Sequence, residues 1–167
     1  MPESDQGIDP QKYLVTPRTL IFIFNRQSQV LLIHGAKNKR LWAGLYNGIG
    51  GHVEAGEDIL ESAQRELFEE TGIRGISLDL CGQIMIDVKP GIGVGVFLFR
   101  GVYEGQKLMA SEEGELEWVS LDALENLPLV EDLPILIPRI AECEPGAPIL
   151  IGKYSYGVNG ALKISFQ

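Results

Sequence analysis

Residues 51–73 read GHVEAGEDILESAQRELFEETGI, and the acidic residues of this stretch follow an unusual spacing. On a helix, Glu66, Glu69 and Glu70 fall within about 100° of one another, because residues three and four apart share a face. Like charges at these spacings repel by roughly 0.2–0.5 kcal/mol per pair. Hard divalent cations prefer carboxylate oxygens, so a bound Mg²⁺ would turn this repulsion into attraction. The stretch therefore predicts a helix with one metal-binding face.

The same helix is expected to carry an apolar face beside the acidic one. Leu60, Ala63 and Leu67 recur at positions i, i+3 and i+7, which is typical of a helix packed against a core. Gly72 predicts that the helix ends after Thr71, since glycine readily adopts the left-handed conformation at C′. The glutamates should therefore lie at the edge of a cleft.

The fixed positions of this stretch resemble the signature of the Nudix hydrolases. The matching residues are Gly51, Glu57, Arg65, Glu66, Leu67, Glu69, Glu70, Gly72 and Ile73. Average amino-acid usage gives such a match a chance likelihood on the order of 10⁻⁷. The resemblance implies an α+β Nudix fold, in which a mixed β-sheet is sandwiched between helices as α/β/α, with β-hairpin additions. It also implies a Mg²⁺-dependent pyrophosphohydrolase, with Mn²⁺ as an alternative ion, that cleaves a nucleoside diphosphate linked to another moiety.

The resemblance also implies the metal ligands. These are the carboxylates of Glu66, Glu69 and Glu70, together with a backbone carbonyl at Gly50 or Gly51. A nonspecific acidic Ca²⁺-binding protein is a third alternative, which the absence of EF-hand loop spacing disfavours.

Further catalytic residues follow from the same resemblance. Glu57 is expected to orient the loop before the helix and to reach a metal ion through water. Arg65 can pair with Glu61, one turn earlier, or with Glu57. The general base comes in this family either from the signature helix or from a later loop glutamate, which leaves Glu69 and Glu113 as the two candidates. For the loop residue, which would also bind metal, Glu112 is the alternative to Glu113.

Composition restricts the class of protein. The chain has 167 residues, of which 45% are hydrophobic and 22% charged, which predicts one globular domain over residues 1–167. Residues 1–12 are expected to form a flexible tail. The net charge of −9 argues against binding to nucleic acid and makes an anionic substrate dependent on metal.

Location and redox state are also expectations from the sequence. The first twelve residues lack a basic and apolar leader, and no apolar run approaches the length of a membrane span. A cytoplasmic protein without membrane contact is therefore expected, as a monomer or homodimer. Cys81 and Cys143 lack metal spacing and are expected to be buried, reduced thiols.

Alternating apolar residues predict the remaining elements. We expect a hairpin from residues 18–34, a second pair of strands joined at Pro90–Gly91, a short strand over 115–120 and a short helix over 121–127. A second amphipathic helix should open around Asp132, with Pro138 kinking or splitting it. The closing hairpin over residues 148–166 contains Asn159–Gly160, which predicts a type I′ turn.

Weaker likeness extends over residues 18–166 to the MutT-like 8-oxo-(d)GTP pyrophosphatases. It rests on GLYNGIGGHVE at 44–54, the Glu-Glu loop before Trp118, the helix start at Asp132 and the closing hairpin. The resemblance implies that Asn47 and Asp132 hydrogen-bond an oxidised purine. From the residues alone, Asn47 can equally be a turn residue before a glycine, and Asp132 can equally be a helix N-cap. Val130 stands where the animal enzymes carry a tryptophan that stacks on the base.

Two further alternatives stay open. Lys37 and Lys39, in the most basic stretch of the chain, can form a substrate-facing rim or a solvated loop. ADP-ribose or nucleotide-sugar pyrophosphatases are the rival enzymes, since ADP-ribose hydrolases carry a proline near the position of Pro90. A non-catalytic Nudix nucleotide-binding module is the rival of a different class. Such modules commonly substitute the metal-binding glutamates, and this chain retains them.

Overall fold

The structure is a computed structural model that describes residues 2–7, 9, 11–36, 42–105, 107–109 and 114–167. Its strands are β1 (Leu14–Phe24), β2 (Gln29–Gly35), β3 (Tyr46–Asn47), β4 (Leu78–Lys89), β5 (Ile92–Val102), β6 (Gly114–Ser120), β7 (Leu150–Tyr156) and β8 (Leu162–Phe166). Its helices are α1 (Ile59–Thr71) and α2 (Leu133–Ala141), with 3₁₀ turns at Glu3–Gln6 and Leu121–Asn126.

The strands form one mixed sheet. Their order is β3-β2-β1-β5-β4-β7-β8, and β6 pairs with β2 outside this path. β1 pairs in parallel with β5, and β4 in parallel with β7, whereas the other paired strands are antiparallel. The predicted mixed sheet is confirmed.

A helix covers each face of the sheet, because successive side chains of β1 point to opposite sides. Ile21 and Ile23 belong to the core that includes Ala63 and Leu67 of α1. Phe22 and Phe24 belong to the second core, which α2 supplies with Leu133, Leu136, Ile137 and Ile140. The expected α/β/α arrangement is therefore confirmed.

Helix α1 begins with a reciprocal cap and ends where the sequence predicted. The Asp58 carboxylate accepts hydrogen bonds from the amides of Leu60 and Glu61, at 2.8 and 2.9 Å, while the Glu61 carboxylate accepts from the Asp58 amide at 2.9 Å. This capping box satisfies amides that have no partner inside the helix. Gly72 ends the helix with φ 75° and donates its amide to the Phe68 carbonyl at 2.8 Å.

The apolar face of α1 was predicted with an error of one residue at its start. Leu60 is 39% exposed, while Ala63 and Leu67 are buried. Ile59 packs against their core instead, so the stripe follows i, i+4 and i+8 rather than i, i+3 and i+7.

Two other sequence expectations were wrong. Cys81 of β4 and Cys143 after α2 form a disulfide with Cα atoms 6.1 Å apart, because α2 packs across the face where Cys81 lies. In the closing hairpin, Tyr156 pairs with Leu162, so five residues rather than two connect the strands. Asn159 does not have the positive φ that a type I′ turn requires, whereas Gly160 has φ 76°.

Helix α2 forms as predicted, and Pro138 lies within it without splitting it. Neither helix of the described part of the chain is long and apolar enough to cross a membrane.

Candidate active site

Arg65 gathers three of the signature glutamates around one guanidinium group. Its Nε and Nη2 donate to the two carboxylate oxygens of Glu57 at 2.6 and 3.0 Å. Its Nη1 donates to Glu66 at 2.8 Å and to Glu69 at 3.1 Å. Between the two partners that the sequence left open, the structure selects Glu57, because the Glu61 carboxylate is engaged in the capping box.

This pairing shifts the pKa values of its two partners, Glu57 in the loop and Arg65 in the helix. The Arg65 guanidinium lowers the pKa of Glu57 to about 2, and the hydrogen bond from the Glu54 amide adds to the effect. In return, the Glu57 carboxylate raises the pKa of Arg65. Arg65 therefore ties the loop before α1 to the helix by a charged, bidentate contact.

The glycine pair before the signature brings the backbone against the helix. The Gly50 amide donates to Glu70 at 3.1 Å. Gly50 has φ 144°, and a side chain there would collide with the Thr19 carbonyl. At Gly51, a side chain would collide with the Glu66 carboxylate. Glycine at both positions therefore allows Glu66 and Glu70 to lie against the chain.

The structure separates the two candidate carbonyl ligands. Residues 49–53 run antiparallel to β1, and in this pairing the Gly51 carbonyl accepts the Thr19 amide at 2.9 Å. No hydrogen bond to the Gly50 carbonyl is found within the described ranges. Gly50 is therefore the better candidate of the two.

The donor set fits a hard divalent cation. Four carboxylates, from Glu57, Glu66, Glu69 and Glu70, lie around Arg65 and Gly50. Oxygen donors of this kind suit Mg²⁺ or Mn²⁺. The side chain of Glu66 is only 14% exposed, whereas that of Glu69 is 57% exposed and accessible to water.

The other predicted pair, Asn47 and Asp132, lies near the start of α2. Tyr46 bonds to the segment before α2, because its amide donates to the Pro128 carbonyl at 2.9 Å and its carbonyl accepts the Val130 amide at 3.0 Å. These bonds bring Asn47 close to the segment that carries Asp132. The Asn47 Oδ1 accepts the Gly48 amide at 2.9 Å, which leaves its NH₂ group available to a ligand.

Asp132 occupies the N-cap position of α2 but does not cap it with its side chain. Its carboxyl instead faces the buried Tyr154, and burial raises the pKa of Asp132. Burial, followed by the charge of Asp132, raises the pKa of Tyr154 as well. The Tyr154 hydroxyl has no partner with hydrogen-bonding geometry among the residues that the structure describes. A buried polar group of this kind normally has a partner, so the pair is suited to a polar ligand.

Arg18 and His52 form a pair that the sequence did not reveal. The Arg18 Nε donates to the His52 Nε2 at 3.0 Å, where β1 runs beside the start of the signature. In the described part of the chain, Arg18 has no carboxylate partner within ion-pair distance. Burial, followed by the charge of Arg18, lowers the pKa of His52. Only the pairing of β1 with residues 49–53 brings the two together, and no motif signals it.

Several predicted residues lie outside the described residues. These are Lys37, Lys39, Glu112 and Glu113. Their assignment to a substrate rim or to the catalytic loop stays a prediction.

The fold and the acidic cluster indicate a hydrolase of phosphoric anhydrides. A family model of the NUDIX domain matches residues 15–140, so the chain belongs to the Nudix family. It is a Nudix pyrophosphohydrolase, as the sequence predicted.

Similar proteins include enzymes with different named substrates. The oxidized purine nucleoside triphosphate hydrolase of Mus musculus is 32% identical over 131 residues, which are 75% of this chain and 81% of the mouse protein. A NAD-capped RNA hydrolase of Pseudomonas aeruginosa is 30% identical over 112 residues, 66% of this chain but only 38% of that enzyme. The MutT structure from Bacillus halodurans superposes with a TM-score of 0.75 and 26% identity, covering 92% of this chain and 98% of that one.

Proposed function

We propose that this protein hydrolyses oxidised purine nucleoside triphosphates, such as 8-oxo-dGTP, to the monophosphate and pyrophosphate in the presence of Mg²⁺. The observation that carries the substrate class is the half-buried Asp132 carboxyl, which does not cap its helix and faces the buried Tyr154 hydroxyl, a group that has no other hydrogen-bonding neighbour among the described residues. The likeness to the mouse enzyme supports the same class.

The phosphate end of the substrate would lie at the acidic cluster. Glu66, Glu69, Glu70 and the Gly50 carbonyl would hold Mg²⁺. When bound, the ion polarises phosphoryl oxygens and lowers the pKa of a bound water molecule. Without such an ion, the acidic cluster would repel a triphosphate.

The chain itself supplies positioning and a base. Arg65 holds Glu57, Glu66 and Glu69 in place through four hydrogen bonds. Glu69 is exposed enough to accept a proton from an attacking water molecule. Glu113 stays the other candidate for this role.

The nucleoside end would lie on the face that α2 covers. Val94, Ile86 and Tyr154 are directly paired across β5, β4 and β7, and their side chains share this face. They would form an apolar floor, with Tyr154 next to Asp132. The Asn47 amide can donate to a base, and the Asp132 carboxyl can donate or accept according to its protonation. A mostly apolar surface with a few polar groups is typical of a site for a planar base.

Arg18 would contact a substrate phosphate or ribose hydroxyl. It points to the same face of β1 as Leu20, one residue from the Thr19–Gly51 hydrogen bond. A half-buried guanidinium without a carboxylate partner is suited to binding an anion. Lys37 and Lys39 stay predicted members of the same substrate rim.

The proposed setting is a single-domain protein in the cytoplasm, as a monomer or homodimer, acting on small nucleotides rather than on nucleic acid. The net charge of −9 supports a small substrate delivered with its metal ion.

A substrate panel tests the proposal. Purified protein with Mg²⁺ is given 8-oxo-dGTP, dGTP, the other canonical triphosphates, ADP-ribose and diadenosine polyphosphates, and kcat/KM is measured from the release of pyrophosphate or monophosphate. We expect 8-oxo-dGTP to lead. If ADP-ribose leads, the assigned roles of Asn47 and Asp132 are wrong while the acidic cluster keeps its function. Tight binding without turnover would identify a binding module.

A further inference from the structure

A second group of metal-ligating side chains lies away from the acidic cluster, where β2 pairs with β6. His34 lies directly opposite Glu115 in this pair, and Glu117 lies two residues further along β6. One ligand atom from each of the three residues lies within 4.8 Å of the other two. The three side chains project from the same face of the sheet, because alternate residues of a strand share a face.

Tyr46 of β3 orients two members of this group. Its ring stacks on the His34 imidazole with a centroid distance of 4.4 Å and an interplanar angle of 5°. Its hydroxyl donates to Glu117 Oε2 at 2.8 Å. The other oxygen, Glu117 Oε1, lies 3.8 Å from His34 Nδ1. That separation is too long for a hydrogen bond but suits two ligands of a single ion.

Within the described part of the chain, no lysine or arginine is paired with the carboxylates of this group, Glu115 and Glu117. Two carboxylates that converge on an imidazole, with no cationic partner among the described residues, favour a bound cation.

The ligand types differ from those of the acidic cluster. The cluster around Arg65 offers oxygen atoms alone, whereas this group adds an imidazole nitrogen, which suits zinc better than magnesium. The group also lies on the opposite face of the sheet from α1, since Leu32 and Tyr46 belong to the core that α2 covers.

We propose that His34, Glu115 and Glu117 form a second metal site that binds one Zn²⁺ ion. Zinc has bonds of about 2.0–2.2 Å to nitrogen and oxygen, so the ion would draw the three ligand atoms closer together than they now lie. Glu115 is exposed and can rotate inward. Water would complete a tetrahedral site.

The position suggests what the ion would do. The site joins the last residues of β2 to the first residues of β6. In the sequence, His34 lies three residues before Lys37, and Glu115 lies two residues after Glu113. Bound Zn²⁺ would therefore hold β2 and β6 together next to two predicted functional segments. These are the substrate rim with Lys37 and Lys39, which follows β2 in the sequence, and the catalytic loop with Glu113, which precedes β6.

The presence of only two histidines, His34 and His52, makes the site directly observable. We would titrate Zn²⁺ into ¹⁵N-labelled protein in excess Mg²⁺ and record the imidazole nitrogens by NMR, with His52→Asn to assign the signals. We expect Nδ1 of His34 to shift with one equivalent of Zn²⁺. The same shift should persist in Glu70→Gln, which weakens the acidic cluster alone.

Ligand and orientation variants decide whether the whole group binds. Glu117→Gln should weaken Zn²⁺ binding at His34 more than tenfold, and Tyr46→Phe should weaken it about tenfold, as for other groups that orient a metal ligand. Glu115→Gln should also weaken it. Circular dichroism would confirm that the variants fold. A His34 signal that does not shift would overturn the proposal. Equal Zn²⁺ affinity at His34 in the wild type and in the glutamate variants would also overturn it, because it would indicate binding to a lone imidazole.

Discussion

The two faces of the sheet are built in different ways. On the face that α1 covers, the glutamates and Arg65 come from one continuous stretch, and a helical spacing predicts their meeting. On the face that α2 covers, Arg18, Asp132 and Tyr154 come from three separate parts of the chain. Under the proposed function, the chemistry at the phosphate end is encoded locally, whereas selectivity for the nucleoside depends on how distant strands align. Substitutions on the two faces should have different kinetic effects.

The largest effect is expected on the α1 face. Glu70→Gln should keep the fold, because the amide oxygen can still accept the Gly50 amide, but should lower kcat/KM about 10³-fold for every substrate. Kinetics over a range of Mg²⁺ concentrations would measure the loss of kcat/KM, and thermal melting would show whether the fold is kept. Glu61→Gln is the matched control, because it removes the same charge from the same helix and glutamine still fits the capping box. Equal losses in both variants would contradict a metal-ligand role for Glu70.

A smaller and selective effect is expected on the α2 face. Asp132→Asn should reduce the preference for 8-oxo-dGTP over dGTP by about 10- to 100-fold, which corresponds to one hydrogen bond that involves a charged group. Hydrolysis of pyrimidine triphosphates should change little. Glu131→Gln removes the same charge from the adjacent exposed residue and should leave the preference unchanged. A uniform loss on all substrates would show that Asp132 serves the fold alone.

Arg18 lies on the α2 face beside the start of the signature, and its effect should appear in KM. Arg18→Gln should raise KM for triphosphates about tenfold with kcat nearly unchanged, because one anion contact is lost. Arg18→Lys should recover part of the loss. Arg26→Gln is the control, since Arg26 is an exposed arginine at the far end of β1 whose partner is Glu104. Loss of kcat without a change in KM would exclude the proposed contact.

The smallest effect is expected in the pH dependence of the unfolding free energy. The pKa of Glu57 is lowered from 4.5 to about 2, so its stabilising contribution is complete above pH 4.5 and is lost as the pH falls toward 2. In metal-free protein, the unfolding free energy of Glu57→Gln should therefore decline less than that of the wild type as the pH falls through this window. Urea unfolding measures this difference. For Glu54→Gln, a variant in the same loop, the unfolding free energy should decline with falling pH as it does in the wild type. An unchanged slope in Glu57→Gln would mean that Arg65 does not hold Glu57 in solution.

The sequence predicted the elements whose causes are local. The end of α1 at Gly72, the turn at Pro90–Gly91 and the start of α2 at Asp132 all follow from the chemistry of one or two residues. The meeting of the signature glutamates follows from helical spacing in the same way. The capping role of Glu61 was missed, because an isolated glutamate on a helix is usually a solvated side chain, although Asp58 and Glu61 form the Asp-x-x-Glu pattern of a capping box.

What the sequence could not predict depends on register between distant segments. Arg18 meets His52 only because residues 49–53 pair with β1, and Cys81 meets Cys143 only because α2 crosses β4. Gly50 and Gly51 are equivalent in the motif, and the hydrogen bond from Thr19 alone distinguishes their carbonyls. Leu60 was misplaced because a shift of one residue turns a helix by about 100°.

The central position of β1 has a consequence for biosynthesis. β1 supplies apolar side chains to both cores, and its longest pairing is with β5, where Leu14 lies opposite Ile92. A ribosome must therefore translate more than half of the chain before β1 can be fully shielded. Until then, the run from Leu20 to Phe24 can pair only with β2 and residues 49–53, and its β5 edge stays open on the nascent polypeptide, which is the kind of segment that aggregates or recruits chaperones. Folding yield in the cell should therefore depend on events during translation as well as on the stability of the finished protein.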